Sequence, residues 1–554
     1  MALIDYVVLT LYLAGLFCVG LLFVRRNKNA SDMFAAGGQS PWWTSGLSAF
    51  MTMFSANTFV VWGGIAYKLG MVAVVINLMY GVAALLVGYF VAGRWKALGI
   101  QTPAQFIQLR YGKGALHFYT SAMVIFRMVG TAGSLYALGI VFTGLLSSGQ
   151  ASQSLLNTVI VIFGVIVVLY TMLGGLWAVL MTDVLQFIVL NLAVLLVVPL
   201  SFMKIGGISA FIEQAPAGFF QPTAGSYTWI FLAGWCAIHF FMIGAEWAFV
   251  QRFICVPSVR DARKSTFLFG ALYLISPLLW LLPPMLWRIQ HPIPVGASDE
   301  TIRQLAENAY ILSCKNVLPA GLVGLMLAAM FSATASMVSS QLNVFSGVLT
   351  HDIWRPLCAG KMSDQQTLRA GRVFTLILGG VLIGIALAIP HLGGAEKVIV
   401  SITELMVVAL LAPTLWGLFS RTLTSSAVWI TAGVSFTAGV LVRFVWHVDS
   451  TPMKTFTGVV LPVLVLVILQ QVSRGMAPGH QRVKDFCADI QPRPSSRSVG
   501  NLPARIVAWS IAACGLLILL PLLWERQSAL ILVSFALVLF VGAAGIGWCT
   551  RDNN

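Results

Sequence analysis

Charged side chains are scarce in this chain of 554 residues: Asp, Glu, Lys and Arg together make up 9% of it. Hydrophobic residues make up 58%, and the mean hydropathy is +0.89. A water-soluble domain of this size needs more polar surface than so few charges supply. Apolar runs of about 20 residues recur along the chain, which is the length that a helix needs to cross a bilayer. The composition predicts an all-α polytopic membrane protein.

Motifs of common enzymes and metal sites are also missing. The sequence contains no GxSxG, no HExxH, no P-loop and no pair of carboxylates with evident catalytic spacing. The eight cysteines form no CxxC and follow no regular spacing, which argues against a disulfide framework or a zinc site. An intramembrane protease is conceivable but has no supporting Asp or His motif. We therefore expect a protein that is not an enzyme.

The net charge of +15 is explained by membrane topology rather than by nucleic-acid binding, because the basic residues are scattered over many short loops. The first apolar run, 4–24, is followed but not preceded by basic residues, which predicts an uncleaved helix with its N-terminus outside. We count fifteen apolar segments, which leave the C-terminus inside. The loops assigned to the cytoplasm then hold 23 of the 33 Lys and Arg residues.

The segment 328–354 is dense in small polar side chains, although it lies in an apolar region. Most of them recur at steps of three and four residues, which places them on one face of an α-helix. They are Ser332, Ser336, Ser339, Ser340, Asn343 and Ser346. The opposite face is apolar, so we predict a helix with apolar surroundings on one side and a polar partner on the other.

The segment 42–68 is rich in Ser, Thr, Asn and Gly. Small and hydroxyl residues in a membrane helix often serve close helix packing. Their density here favours a helix that unwinds near the middle of the membrane, where freed backbone carbonyls can bind a cation.

A few ionisable residues stand inside apolar segments, where a charge costs about 2.5 to 3.5 kcal/mol on insertion scales. Asp183 follows the tight-turn sequence LGG, with Gln186 one turn later, and is either functional or solvated at the interface. Arg127 could pair with an acidic group or hold an anionic solute. His239 could be hydrogen-bonded within the core or face a solute. Glu404 needs a partner, an ion or a proton.

Six motifs, in this order, resemble those of the sodium:solute symporter family, which includes sodium–glucose, proline, pantothenate and sialic acid transporters. The resemblance covers about residues 1–475. The motifs are SDMFAAGGQSPWWTSGLSAF, IAYKLG, QTPAQFIQLRYG, YTMLGGLWAVLMTDVLQ, WAFVQRFICVPSVRDARKS and LPAGLVGLMLAAMFSATASMVSSQLNVFSGVLTHDIW.

The resemblance implies a leucine-transporter-type fold of two inverted five-helix repeats with extra helices at both ends. Between its two broken helices such a fold holds the solute at mid-membrane. The units expected here are 1–41 (extra helix and cytoplasmic loop), 42–203 and 227–421 (the repeats), 422–472 (two helices), 473–504 (flexible cytoplasmic linker) and 505–554 (C-terminal helical hairpin).

The family's ion sites imply two sets of ligands in this chain. The principal sodium site falls on the carbonyls of Met51, Phe54 and Ala333 and on the hydroxyl of Ser336. Its second hydroxyl falls on Met337, whose thioether is a poor ligand for a hard cation. The second sodium site of some members falls on Asp183, Ser336, Ser339 and Ser340.

The resemblance also implies candidate solute-binding positions. They are Ser55, Thr58, Arg127, His239 and Glu404. Sugar carriers of the family have an Asn-Gln pair where this chain has Glu246-Trp247, which makes a simple hexose less certain. We expect sodium-coupled uptake of a small polar organic solute, such as a sugar, sialic acid or another organic anion, by alternating access in a bacterial-type inner membrane. The alternatives are proton coupling, an uncoupled carrier, and a solute receptor that does not transport. The oligomeric state stays open.

Overall fold

The computed structural model describes residues 3–24, 38–146, 152–319, 321–358, 363–392, 395–448, 450–473 and 475–489, with scattered positions between 508 and 544. The described chain is helical, with a single isolated bridge between Ala224 and Tyr227 as its only β-pairing. The all-α prediction is therefore confirmed. The predicted C-terminal hairpin, 505–554, lies almost entirely outside the described residues.

We number the main helices in chain order. They are α1 (Leu3–Val24), α2 (Trp42–Met53), α3 (Thr58–Leu69), α4 (Met71–Ala97), α5 (Pro103–Tyr111), α6 (Lys113–Leu146), α7 (Gln153–Ile205), α8 (Ile208–Gln214), α9 (Trp229–Ala245), α10 (Trp247–Ile254), α11 (Val259–Gln290), α12 (Asp299–Val317), α13 (Leu322–Leu357), α14 (Asp364–His391), α15 (Ala395–Phe419), α16 (Ser426–Val445), α17 (Thr451–Val472) and α18 (Pro478–Asp489).

Nine stretches of helix in the described residues are long and apolar enough to cross a membrane. The count rises to eleven if α2 with α3, and α9 with α10, each form one bent span. Large apolar side chains such as Phe90, Ile125 and Ile275 are exposed on the outside of the bundle, as expected of a surface in contact with lipid. The protein is therefore a multi-pass membrane protein.

Helix α7 is continuous over 53 residues, which at 1.5 Å per residue is about 80 Å. It is not straight, because the Tyr170 hydroxyl lies 3.3 Å from Thr182 Oγ1. Twelve residues of a straight helix would separate these two positions by about 18 Å, too far for a tyrosine side chain to span. The helix therefore bends sharply between Tyr170 and Thr182, and α7 supplies two of the nine spans.

Helix α13 forms the centre of the bundle. Every residue from Leu322 to Val348 is buried, and the helix packs against α1, α6, α7 and α14. Several of its hydroxyls bond to carbonyls of its own helix, as Ser332 does to Ala328 and Ser346 does to Asn343. Such internal bonds allow a polar stripe to be buried without leaving donors unsatisfied.

The first helix is tied to this centre. Asp5 Oδ1 accepts hydrogen bonds from the backbone N–H groups of Gly321 (2.7 Å) and Gly324 (3.0 Å) at the start of α13. A carboxylate is favourable there because a helix N-terminus has free N–H groups and a partial positive charge. Tyr12 hydrogen-bonds Ser332 further along the same interface.

Three connections between apolar segments contain helices of their own. The segment 204–226 contains α8, and the segment 289–317 contains α12. The predicted flexible linker, 473–504, contains α18, which packs against α5. Its polar composition suggested flexibility, but packing against a folded neighbour overrides weak intrinsic helix propensity.

Candidate functional site

Two broken helices define the site. The first break separates α2 from α3, whose axes differ by 61°. At the break Phe54 is extended (φ −89°, ψ 135°), and the Thr58 N–H donates to the Ser55 carbonyl at 2.9 Å. The prediction that the helix at 42–68 unwinds is therefore confirmed.

The second break separates α9 from α10, whose axes differ by 53°. It occurs at Glu246, which is extended (φ −71°, ψ 136°) and fully buried. The Glu246 N–H closes α9 by donating to the Met242 carbonyl at 2.9 Å. A carboxylate thus stands where the second helix is interrupted.

The hydroxyls of α2 and α13 converge on Asp183 of α7. Ser336 donates to Asp183 Oδ1 at 2.5 Å, and Ser48 donates to Asp183 Oδ2. Arg252 Nη2 lies 3.9 Å from the same Oδ2 atom. We call Asp183, Ser48, Ser336, Ser340 and Arg252 the aspartate cluster; all five are buried.

Arg252 connects the elements of the aspartate cluster. Its Nε donates to Ser48 Oγ at 3.1 Å, and its Nη2 donates to Ser340 Oγ at 2.6 Å. Its Nη1 donates to the Ala248 carbonyl of its own helix at 3.1 Å. Sequence reasoning did not assign Arg252 to the site, although the residue stands in the family-like motif WAFVQRF.

Ser339 lies beside this cluster. Its hydroxyl accepts a hydrogen bond from Tyr170 (3.1 Å) and donates to the Ser336 carbonyl (3.0 Å). Tyr170 is placed there by the bend in α7. Ser336, Ser339 and Ser340 therefore occupy one continuous polar region around Asp183.

The backbone positions expected at the principal sodium site lie at the first break. Met51 and Phe54 are buried. The helix ends at Met53, so its last carbonyls have no following helical N–H groups from which to accept hydrogen bonds. The break is joined to α13 by the Ala56 N–H, which donates to Thr334 Oγ1 at 3.0 Å. Thr334 is the neighbour of Ala333, whose carbonyl was the third backbone candidate.

A second polar group lies between α6, α13 and the second break. Arg127 Nε is 3.4 Å from Glu246 Oε1, and both side chains are buried. In the amide orientation that satisfies both neighbours, Gln341 donates to Glu246 Oε1 (3.2 Å) and accepts from Arg127 Nη2 (2.7 Å). We call Arg127, Glu246 and Gln341 the central triad, and it carries no net charge.

A short chain of contacts links the first break to the same helices. Asn57 Nδ2 donates to Ser134 Oγ at 2.6 Å, and Ser134 donates to Met337 Sδ at 3.2 Å. Ser134 lies two turns after Arg127 on α6, and Met337 lies one turn before Gln341 on α13. The Met337 sulfur thus faces α6 and Ser134.

Three buried polar groups here have no hydrogen-bond partner among the described residues. They are Glu246 Oε2, Asn57 Oδ1 and both amide atoms of Gln186. Buried polar atoms in native proteins are nearly always satisfied by protein, water or ligand. Two of these groups are acceptors at the two helix breaks, and the third lies one turn after Asp183.

The remaining predicted solute positions are distributed unequally. Ser55 and Thr58 lie at the first break and are buried. The Nδ1–H of His239 donates to the Trp235 carbonyl at 2.8 Å, and its ring packs edge-on against Tyr80. Glu404 is not brought into the central triad.

Glu404 makes an ion pair in another part of the bundle. Its Oε2 lies 2.5 Å from Arg443 Nη2, and the two residues connect α15 to α16. Its backbone carbonyl also lies close against Gly458 of α17. These contacts give the Glu404 carboxylate the partner that its buried position requires.

The chemistry of the donor set favours a hard monovalent cation over a transition metal. The described residues contain no group of three or more His, Cys, Asp or Glu side chains that could hold a metal ion. Around Asp183 and the first break the available donors are one carboxylate, several hydroxyls and backbone carbonyls. Oxygen donors of this kind suit hard cations.

Known proteins are similar to this chain in sequence and in fold. The model of the sodium:solute symporter family matches residues 33–477. The chain is 26% identical over 390 residues to the sodium/sialic acid symporter SiaT of Proteus mirabilis, covering 68% of this chain and 76% of that protein. It is 26% identical over 474 residues to a sodium/glucose cotransporter of Vibrio parahaemolyticus, covering 80% and 85% of the two chains.

The fold is similar to a solved structure of a Na⁺-coupled sialic acid symporter in a substrate-bound outward-open state. The TM-score is 0.71, and the match covers 86% of this chain and 99% of the other. The sequence identity in that comparison is 23%, so the likeness is one of fold.

Proposed function

Since the chain belongs to the sodium:solute symporter family and is a sodium-coupled solute transporter, we propose that it takes up a small polar organic solute at the two helix breaks. The solute would contact the central triad, Asn57, and the break residues Ser55 and Thr58. His239, which packs against Tyr80, would lie at the edge of the solute site. Transport would proceed by alternating access in a bacterial-type inner membrane.

The observation that carries this proposal is the composition of the central triad. Arg127 and Glu246 neutralise each other, while Glu246 Oε2 and Asn57 Oδ1 are left without donors among the described residues. A site that is neutral and has spare acceptors fits a solute with several hydroxyl or N–H donors. A solute carboxylate could still bind Arg127, but it would compete with Glu246. We therefore favour a sugar or polyol, or an acidic sugar with many hydroxyls, over a simple carboxylate.

We propose that sodium binds beside this solute site. The Asp183 carboxylate and the hydroxyls of Ser336, Ser339 and Ser340 would hold one ion. Ser336 would be shared with the principal site, which the carbonyls of Met51, Phe54 and Ala333 would complete. A bound cation supplies positive charge that joins α2, α7 and α13, so its release would loosen their contacts. Glu404 we assign to holding α15 against α16 through Arg443.

The membrane topology that we propose is that of two inverted repeats with extra helices. The two repeats would be 42–203 and 227–421, each beginning with one of the broken helices. The chain would start outside, cross the membrane fifteen times and end inside. Residues 422–472 would add two helices, and 505–554 a further hairpin. Labelling of single introduced cysteines in intact cells would test on which side of the membrane each connecting segment lies.

Uptake by the purified protein in liposomes tests the function directly. An inward sodium gradient is expected to drive accumulation of at least one member of a panel containing glucose, myo-inositol, N-acetylneuraminic acid, an amino acid and a dicarboxylate. A proton gradient of equal size, without sodium, is the control. Saturable binding without accumulation under either gradient would indicate that the protein is a solute receptor and not a transporter.

Met337→Ser is expected to lower the sodium concentration that gives half-maximal uptake. The new hydroxyl would stand next to Ser336 and supply an oxygen ligand where the thioether supplies none. Met337→Ala is the matched control, because it creates a similar cavity without a hydroxyl. Sodium titration of uptake compares the two variants. Equal sodium dependence in Met337→Ser and Met337→Ala would show that residue 337 is not part of the ion site.

A further inference from the structure

Helix α18 closes a cavity at one end of the bundle, away from the central triad. The cavity has a volume of about 270 Å³ and lies between α18, α5 and the end of α15. Part of its wall is apolar, including Leu98, Phe106 and Leu418. Its polar lining is basic, and consists of Arg110, His480 and Lys484.

Direct contacts hold α18 in place over this cavity. Arg482 Nε donates to the Leu109 carbonyl at 2.9 Å, and the Ala477 N–H donates to the Arg421 carbonyl at 3.0 Å. Gly479 lies so close to Arg110 that a Cβ atom would overlap the Arg110 carbonyl. The cavity is therefore built by a docked helix.

Arg110 is buried, with 1% of its side chain exposed, and it is only partly satisfied. Its Nε donates to the Gly417 carbonyl (3.2 Å) and its Nη2 to the Ser420 carbonyl (3.1 Å). Its Nη1 has no hydrogen-bond partner among the described residues, and neither has Nε2 of His480. A buried guanidinium with a free donor costs stability unless an acceptor reaches it.

The charges around the cavity are of one sign. Burial, and then the nearby cations Arg110, Lys484 and Arg421, lower the pKa of His480. Asp485, on the same helix, is exposed and accepts a hydrogen bond from Gln481 at 2.7 Å. Among the residues that the structure describes, no acidic side chain lines the cavity. The positive potential inside it is therefore not neutralised by its own lining.

We propose that this cavity is a second ligand site, which binds a small anion carrying a carboxylate or phosphate group. The anion would accept from Arg110 Nη1 and Lys484 and from whichever His480 nitrogen carries a proton, while its organic part would lie against Leu98 and Phe106. The same chemistry is found in a free anion and in a lipid headgroup. Binding would hold α18 against α5.

Protection of Cys487 tests the proposal, because this half-buried thiol also lines the cavity. The full-length protein in phosphatidylcholine nanodiscs is treated with N-ethylmaleimide, and modification of Cys487 is followed by peptide mass spectrometry. Inorganic phosphate is expected to slow the modification, whereas sodium chloride at equal ionic strength is not. A second set of nanodiscs contains phosphatidylglycerol and no phosphate.

Lys484→Gln is expected to raise the phosphate concentration that gives half-maximal protection about tenfold, because one charge-assisted hydrogen bond is lost. Lys484 is exposed on its outer side, so the variant should fold normally. Arg260→Gln, which removes an exposed charge from the first turn of α11, is the matched control and should change nothing.

The outcomes separate the sources of the anion. Protection by phosphate alone identifies a free anion, and protection by phosphatidylglycerol alone identifies a lipid headgroup. Absence of protection in both sets overturns the proposal. So does an equal loss of protection in Lys484→Gln and Arg260→Gln, because that result would indicate general charge screening.

Discussion

Glu246→Gln is expected to destabilise the protein and to abolish solute uptake. The substitution leaves the Arg127 guanidinium buried without its counter-ion, and breaking one side of a buried pair costs about 3 to 5 kcal/mol. It also removes the negative charge from the second helix break, where we place the solute. Thermal unfolding in detergent and sodium-driven uptake in liposomes measure the two effects.

A double variant separates the structural effect from the effect on the solute. Arg127→Met combined with Glu246→Gln removes both charges, so no unpaired ion stays buried, and the thermal stability should recover. Uptake should stay abolished if Glu246 and Arg127 contact the solute. If the double variant regains uptake together with stability, the central triad only supports the fold. If Glu246→Gln alone melts and transports like the wild type, the pair has no such role.

Asp183→Asn is expected to raise the sodium concentration for half-maximal uptake more than about tenfold, or to stop uptake. Asparagine has nearly the same size, but it carries no charge and presents one oxygen instead of two. The variant therefore loses an ion ligand and also leaves Arg252 without its buried carboxylate. Uptake as a function of sodium concentration gives the first measurement.

Sodium-dependent thermal stabilisation gives a second measurement that does not require transport. A ligand that binds only the folded protein raises its stability by an amount that grows with the logarithm of one plus the ratio of ligand concentration to Kd, so Asp183→Asn should lose the sodium-dependent shift. Asp364→Asn, at an exposed position, is the matched control and should keep it. Ser339→Ala should show a smaller loss, because one hydroxyl is removed and the charge is retained. An unchanged sodium shift in Asp183→Asn would place the ion elsewhere.

Several features of the site could be predicted because they are local. The density of Ser, Thr and Gly at 42–68 predicted the unwound helix, and the break occurs there between Met53 and Thr58. The three- and four-residue steps of the hydroxyls predicted one polar face on α13, and Ser336, Ser339 and Ser340 share the region around Asp183. These predictions depend on helical periodicity and on the cost of buried polar groups, which act over a few residues.

The partners of the buried charges could not be predicted in this way. Arg127 and Glu246 are far apart in the chain, and so are Asp183 and Arg252. Neither Arg252 nor Glu246 could be assigned a role at the site from the sequence alone. Each is ordinary in its local context. Only the packing of α6, α7, α10 and α13 brings the members of each pair within 4 Å of one another.

The sequence by itself determined that the chain is helical, crosses a membrane many times, belongs among the sodium-coupled symporters and has an interrupted helix at 42–68. Helicity, membrane crossing and the interrupted helix follow from hydropathy and from the pattern of residues, because the bilayer imposes the same rules on every segment. The family follows from the local motifs. The tertiary structure decided which charges neutralise each other, that Glu404 pairs with Arg443, and that part of the presumed linker docks as α18. Such choices depend on contacts between distant segments, where burial makes an unpaired charge too costly to tolerate.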